Sequence, residues 1–542
     1  MQRGAGNYGA LEKAEMKRSS LPLIGLVLLA LAVAASGILF LPVPFTRDQG
    51  IYSYVAWCWL GEWWPYQYAF EHKGPWLYLT YAIFLKLSKG AAFGPNLADL
   101  LARLSTLFLL FILGKKLFPP WKALAVSAVA SIPLLAVFSS CWWNDQAETF
   151  MMPIAALSAL LAFSAANDDP RPKSLGLGFA AGLALSQMLM FKLSGFWLVI
   201  GLVFFFAFFA KARMKTISAC LIGLAAGLAV WIFYFWVRGI GGEFFEQVIL
   251  FNWFHLQGHR ASPAELLKTS SRALWLIFGP ALIILAAGLA RAFRARREPV
   301  SGLVLIWFAA AALELLSQAR FFLYHFLGLI SPCALLIVMG ASGGKGKQGK
   351  AWRWLGASLI IIWAFTSLKF YCLTQKHYQT ANYLSGKLSK EQYYARFQEP
   401  ARGPRKDFNA YADLVVANWI RERTTGDDYV LVFGYEPLIN YLAARRSPSR
   451  FHSKYPLDFE PKTNLARRRQ KQWRDTFLSE LNTRKPRLVV LVHNDINALE
   501  PLDSYSQALR FREFWTWLMK NYRRGERIED FDFWWRRRDG FD

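Results

Sequence analysis

The stretch Pro44-Phe45-Thr46-Arg47-Asp48-Gln49-Gly50 directly follows an apolar run from Leu21 to Leu41 and sets an arginine and a carboxylate beside it. A run of about 20 apolar residues is the length that crosses a bilayer as a helix, so Asp48 falls at a membrane face. A second acidic cluster, Asn144-Asp145-Gln146-Ala147-Glu148, follows another apolar segment, and counting crossings puts it on the same side. Two carboxylate motifs at one surface point to chemistry at the level of lipid head groups rather than to a passive anchor or a pore.

The rest of the 542-residue chain fits that start. It is 54% hydrophobic and 16% aromatic, too apolar for a soluble protein of this size, which makes it a polytopic membrane protein. The formal charge of +26 could suggest nucleic acid. Through the first two thirds, however, it sits in short clusters between apolar runs: Lys115-Lys116, Lys211 to Lys215, Arg291 to Arg297 and Lys345 to Arg353. All fall on one side when crossings are counted, so the charge reports topology with the positive side inside, and no nucleic-acid partner is expected. The five cysteines show neither CxxC spacing nor a disulfide framework.

Apolar windows predict spans near 21–41, 97–114, 123–140, 149–166, 174–191, 194–210, 216–237, 273–290, 299–317, 321–340 and 354–371, about eleven helices. The first is longer than the apolar core of a cleaved signal and is expected to remain as a span. An inside N-terminus and an odd count leave the C-terminus outside. The expected organisation is a cytoplasmic tail at 1–20, a membrane domain at 21–371 and a soluble extracytoplasmic domain at 372–542.

Between the first two spans lie Trp57, Trp59, Trp63, Trp64, Tyr66, Tyr68, Trp76, Tyr78 and Tyr81, in apolar pieces too short to cross. Aromatic rings with a polar edge favour the interface, so this segment reads as helices lying on the outer surface, with plain interface anchoring as the alternative. A second outer loop, 238–272, is long enough to cap a cavity. In the polar C-terminal part, Tyr429 to Phe433 and Arg487 to Val492 read as buried strands, and Asp413 to Arg423 and Leu502 to Tyr522 as amphipathic helices, an α/β sandwich.

A carboxylate at the membrane surface can take the proton of an acceptor hydroxyl as its oxygen attacks a sugar carbon, and Asp48 is the candidate base. The phosphate leaving group of a lipid-linked sugar needs cations close by. Lys73, Lys192, Arg320, His325, Arg47, His259 and Arg260 all fall on the outer side. Lys192 and Arg320 could instead snorkel from helix ends, and His325 could be a hydrogen-bonded helix residue. Glu148 could orient the acceptor, bind a cation with Asp48, or pair with Arg47 for structure, and Asp145 rivals it at nearly the same depth.

Taken in order, Arg47-Asp48-Gln49-Gly50-Ile51-Tyr52, Gly61-Glu62-Trp63-Trp64-Pro65-Tyr66, His72-Lys73-Gly74-Pro75 and Ala147-Glu148-Thr149-Phe150-Met151 resemble the GT-C glycosyltransferases of the protein O-mannosyltransferase and lipid A aminoarabinose transferase group. Arg320-Phe321 with Tyr324-His325 and Pro332 resembles a later motif of that family. The resemblance covers roughly the first 340 residues. It implies a GT-C membrane fold, a polyprenyl-phosphate sugar donor, inversion at the anomeric carbon, Asp48 as base and Lys73 as the holder of the donor phosphate, with Tyr324 among the substrate-binding residues. The acceptor it implies is a glycan, lipid or protein, handled among membrane lipids on the outer face of a bacterial-type inner membrane. Where many relatives have Asp-Glu, this chain has Asp48-Gln49. That removes one metal or acceptor ligand; no cofactor is assigned, and a divalent metal stays an option.

The competing class is a transporter or flippase of lipid-linked glycans. Such proteins place ionisable groups near the bilayer midplane on broken helices, often in paired halves. Here the helix interiors carry few charges, chiefly Arg103 and Glu314, and no internal repeat is visible. Arg467-Arg468-Arg469 and Arg536-Arg537-Arg538 read as solvated faces or as contacts to anionic lipid or glycan.

Overall fold

The computed structural model describes residues 5–136, 143–167, 172–257, 262–343, 346–400, 406–496 and 502–537. They form two compact units.

The first unit, 1–40, 98–231 and 261–375, is a helical bundle. Each predicted span meets a helix, but among the described residues seven are long and apolar enough to cross a membrane: Leu21–Ile38, Phe93–Leu117, Ala147–Asn167, Arg213–Val237, Pro299–Gln318, Leu323–Ala341 and Gly346–Tyr378. The expected count of eleven is not confirmed: by length and apolarity seven of the described helices qualify, or up to eight if one bent pair is a single span. Pro120–Ala136 and Leu193–Phe209 are apolar but shorter. The expected single span 273–290 is two helices, Pro263–Phe278 and Ala281–Arg294, bent by 98°. The break falls on Gly279-Pro280, where Gly279 takes φ +45° and proline cannot continue the hydrogen-bond ladder.

Small residues let these helices close on one another, as expected where apolar side chains gain little by leaving lipid. A Cβ at Gly288 would stand 2.0 Å from the Leu336 carbonyl oxygen, and one at Gly340 would stand 2.1 Å from that of Ile284. The Ala281–Arg294 and Leu327–Ala341 helices thus touch backbone to backbone.

The second unit gathers 41–97 and 232–260 with 376–542. Its sheet has strands β1 (Gln398–Pro400) and β2 (Lys406–Asn409) as a separate pair. The main four are β3 (Val430–Phe433), β4 (Leu488–Val492), β5 (Tyr522–Ile528) and β6 (Phe531–Arg536), in the order β3-β4-β6-β5. β3 and β4 run parallel, and β6 lies antiparallel to β4 and β5. Strand alternation splits the core between the two faces. Leu431, Phe433, Val489 and Leu491 pack with Phe70, Phe251 and Phe254. Val430, Val432, Leu488, Val490 and Val492 pack with Val416, Ala417 and Ile420 of the Ala410–Arg423 helix. The segment expected as one helix at 502–522 is two, Ser504–Arg510 and Arg512–Asn521, meeting at Phe511.

Candidate active site

In the second unit, the opening motif begins the Arg47–Leu60 helix. Thr46 and Gln49 form a reciprocal capping box, with the Gln49 carboxamide turned back onto the Thr46 backbone N–H at 3.1 Å. Gln49 is buried, so the glutamine that follows Asp48 caps its helix. The first-turn position sets Asp48 where the helix dipole favours an anion. Arg47 turns the other way, Nη2 lying 3.1 Å from Glu436. Among the described residues no ion pair or hydrogen bond engages the Asp48 carboxylate.

Lys73 ends the loop before the Pro75–Leu87 helix, its ammonium 4.7 Å from the centre of the Tyr52 ring. The loop is fixed from within: Tyr66 Oη donates to the Lys73 carbonyl at 2.8 Å, and Tyr78 Oη donates to Glu71 at 2.7 Å. Tyr66, Tyr78 and Tyr81, expected at an interface, are fully buried packing rings, as is Tyr52. Burial pushes the Glu71 carboxyl up, opposed by Lys73 and reinforced by Asp48. Asp48 and Lys73 therefore act on one carboxyl group.

In the first unit, three predicted residues come together. Lys192 Nζ is 2.5 Å from Glu148 Oε1 and donates to Gln318 Oε1 at 2.6 Å. His325 Nε2 lies 3.9 Å from the same Glu148 oxygen. Glu148 opens the Ala147–Asn167 helix, Lys192 precedes a turn at Leu193–Gly195, and Gln318 ends the Pro299–Gln318 helix, so three helix ends converge. Ser194 donates to Glu314 at 2.9 Å. A cavity of about 20 Å³, room for roughly one water, is lined by Glu148, Glu314, Ser331, Trp307 and methionines 151, 152 and 188. Glu148 Oε2 and Ser331 Oγ are buried without a hydrogen-bond partner among the described residues.

Arg320 lies between Ala319 and Phe321, both left-handed at φ +53° and +47°. Such strain is held only where surroundings demand it. Tyr324 packs edge-on against His325 at 4.7 Å. Asp145, also left-handed, belongs to another cluster: its N–H donates to Asp99 at 3.0 Å, and Asp99 pairs with Arg103 at 2.6 Å.

No family model and no curated protein matches this chain by sequence. Its structure is similar to that of ArnT from Cupriavidus metallidurans in the apo state, with a TM-score of 0.60 at 12% identity over 94% of this chain and 98% of that one. The same protein bound to undecaprenyl phosphate gives 0.59 at 11% identity, over 95% and 98%. The apo oligosaccharyltransferase of Archaeoglobus fulgidus gives 0.51 at 15%, over 87% and 70%. The chain has the GT-C fold.

Among the described residues, no three His, Cys, Asp or Glu side chains cluster with metal-holding geometry. Glu148 already holds the Lys192 ammonium. Among the described residues, neither unit therefore presents a donor set that fits a divalent metal. His259 and Arg260 lie outside the described residues. Sequence reasoning missed Gln318, Ser194 and Ser331 in the first unit and Glu71 and Gln247 in the second. Glu71 alone carried a signal, a carboxylate two residues before Lys73.

Proposed function

We propose that this chain is a multi-pass membrane glycosyltransferase that moves a sugar from a polyprenyl-phosphate donor to an acceptor hydroxyl, with inversion, on the outer face of the inner membrane. In this reading 21–371 carries the membrane domain and 372–542 the extracytoplasmic one. ArnT of the same fold binds undecaprenyl phosphate, and the Archaeoglobus protein is an oligosaccharyltransferase, which supports the donor class and reaction type.

The observation that carries the reading is the Lys73 ammonium packed on the Tyr52 ring, one helical turn along from Asp48, whose carboxylate makes no ion pair or hydrogen bond among the described residues. The acceptor oxygen bonds to the anomeric carbon as the bond from that carbon to the phosphate oxygen breaks. The acceptor proton passes to Asp48, and polyprenyl phosphate leaves with the bonding electrons, its negative charge met by Lys73. In the first unit Glu148, held by Lys192 and near His325, is the second proposed carboxylate, with Arg320 and Tyr324 as further substrate-binding candidates. Arg47 serves structure, since its guanidinium is committed to Glu436.

The broken helix pair is a feature transporters share. Its break holds Gly279 and Pro280, neither ionisable, which favours the enzyme. The test is transfer of label from a radiolabelled polyprenyl-phosphate sugar pool in membranes, comparing the unchanged protein with Asp48→Asn and Lys73→Ala at matched expression. Labelled product lost in both variants supports the reading; transport of intact lipid-linked glycan with no product overturns it.

A further inference from the structure

The Glu71-His72-Lys73 loop is held from outside by a short helix far away in sequence. Residues Gly241–Phe244 form one α-turn, Phe245–Phe251 a π-helix, and Asn252–Gln257 a further α-helical stretch. Gln247 is fully buried. Its Nε2 donates to the Tyr66 carbonyl at 2.6 Å, and its Oε1 accepts the Glu71 N–H at 2.8 Å. Five residues on, Asn252 Nδ2 donates to the His72 carbonyl at 2.6 Å.

Both carboxamides meet one loop because of the π geometry. On an α-helix, positions five apart point about 140° away from each other. A π-helix closes its hydrogen bonds at that same spacing, so positions 247 and 252 come back to one side. π-turns persist mainly at functional sites, because a wider, less favourable turn needs a reason to be kept. The far side of the same stretch is anchored: Phe251 and Phe254 belong to the core that includes Phe70, Phe433 and Trp473. The clamp thus ties the loop to the sheet.

On the loop side, the bonds to Tyr66, Glu71 and His72 lead to Lys73. Tyr66, whose backbone is left-handed at φ +70° and whose carbonyl Gln247 holds, places its own hydroxyl on the Lys73 carbonyl. Glu71 and His72, the two residues before Lys73, are each fixed by a carboxamide. We propose that Gln247 is a positioning residue that sets Lys73 for the donor phosphate, acting through the backbone of residues 66–72. The proposal rests on the reading of Lys73 as the phosphate-holding cation.

The experiment is a double-mutant cycle on the full-length protein in lipid nanodiscs, with undecaprenyl phosphate as probe and its dissociation constant as readout. Gln247→Leu keeps the side-chain size and removes both hydrogen bonds. It is expected to weaken binding about tenfold in the unchanged background and less than about twofold when Lys73 is already alanine. An equal loss in both backgrounds overturns the positioning role and leaves Gln247 as packing. Binding unaffected by Lys73→Ala overturns the underlying assignment instead. If Gln247→Leu does not yield folded protein, Gln247→Asn, which keeps both groups on a shorter stem, replaces it under the same criteria.

Discussion

Lys192 and Glu148 meet at 2.5 Å although 44 residues separate them, and the glutamate side chain is almost wholly buried. A buried pair is costly to break from one side, since the remaining charge keeps its desolvation penalty and loses its partner. Lys192→Ala is therefore expected to destabilise the protein by about 3–5 kcal/mol. The double change Glu148→Gln with Lys192→Met recovers most of it. Thermal unfolding of the detergent-solubilised variants measures both; a Lys192→Ala protein as stable as the parent contradicts the pairing.

Asp48→Asn keeps size and the capping box but cannot take a proton. Initial rates with saturating donor are expected to fall about 10²–10⁴-fold, with the donor KM little changed. A rise in KM at constant kcat assigns Asp48 to binding instead.

The helix contact at Gly288 has no space for a methyl group. Gly288→Ala is expected to cost about 1–3 kcal/mol, because the Leu336 carbonyl belongs to a helix backbone that cannot turn aside. Gly176→Ala, where nothing lies within 4 Å, serves as the control and is expected to be neutral or slightly stabilising.

Glu436 supplies a pH dependence. Burial, joined by the nearby Asp495, pushes its carboxyl up to about 7 against the pull of Arg47. Its folded-state pKa is raised, so its contribution to stability is full below the ordinary value of 4.5 and is lost as pH rises through about 7. Buried Asp413 is shifted the same way, with Glu436 as a contributing charge. Chemical denaturation at pH 5 and pH 8 is expected to differ by roughly 1–3 kcal/mol in favour of pH 5 from this group. Glu436→Gln flattens the difference; an unchanged slope shows that other groups set it.

The legible part of this fold was the part written in local pattern. Apolar runs located the helices, and continuous apolar stretches located β3 and β4, buried on both faces. β5 escaped because Tyr-Arg-Arg-Gly-Glu-Arg-Ile is an edge strand whose arginines face solvent, so neither apolarity nor alternation marks it. The 273–290 span was misread because apolarity alone does not register that Gly279-Pro280 turns the chain. The candidate ionisable residues were legible by residue type and by their place beside apolar runs. Gln247 and Gln318 were not, since an uncharged carboxamide acquires its role only from partners 176 and 126 residues away.

The central claim is sugar transfer from a polyprenyl phosphate with Asp48 as base. Its most direct test is a reconstitution of purified protein with a defined polyprenyl-phosphate sugar and an envelope lipid and glycan extract as acceptor, following free polyprenyl phosphate and glycosylated product together. The account predicts that the two appear in equal amounts and that Asp48→Asn abolishes both while donor binding persists. Equal activity in the Asp48→Asn protein, or movement of the intact donor across the bilayer without release of polyprenyl phosphate, contradicts it.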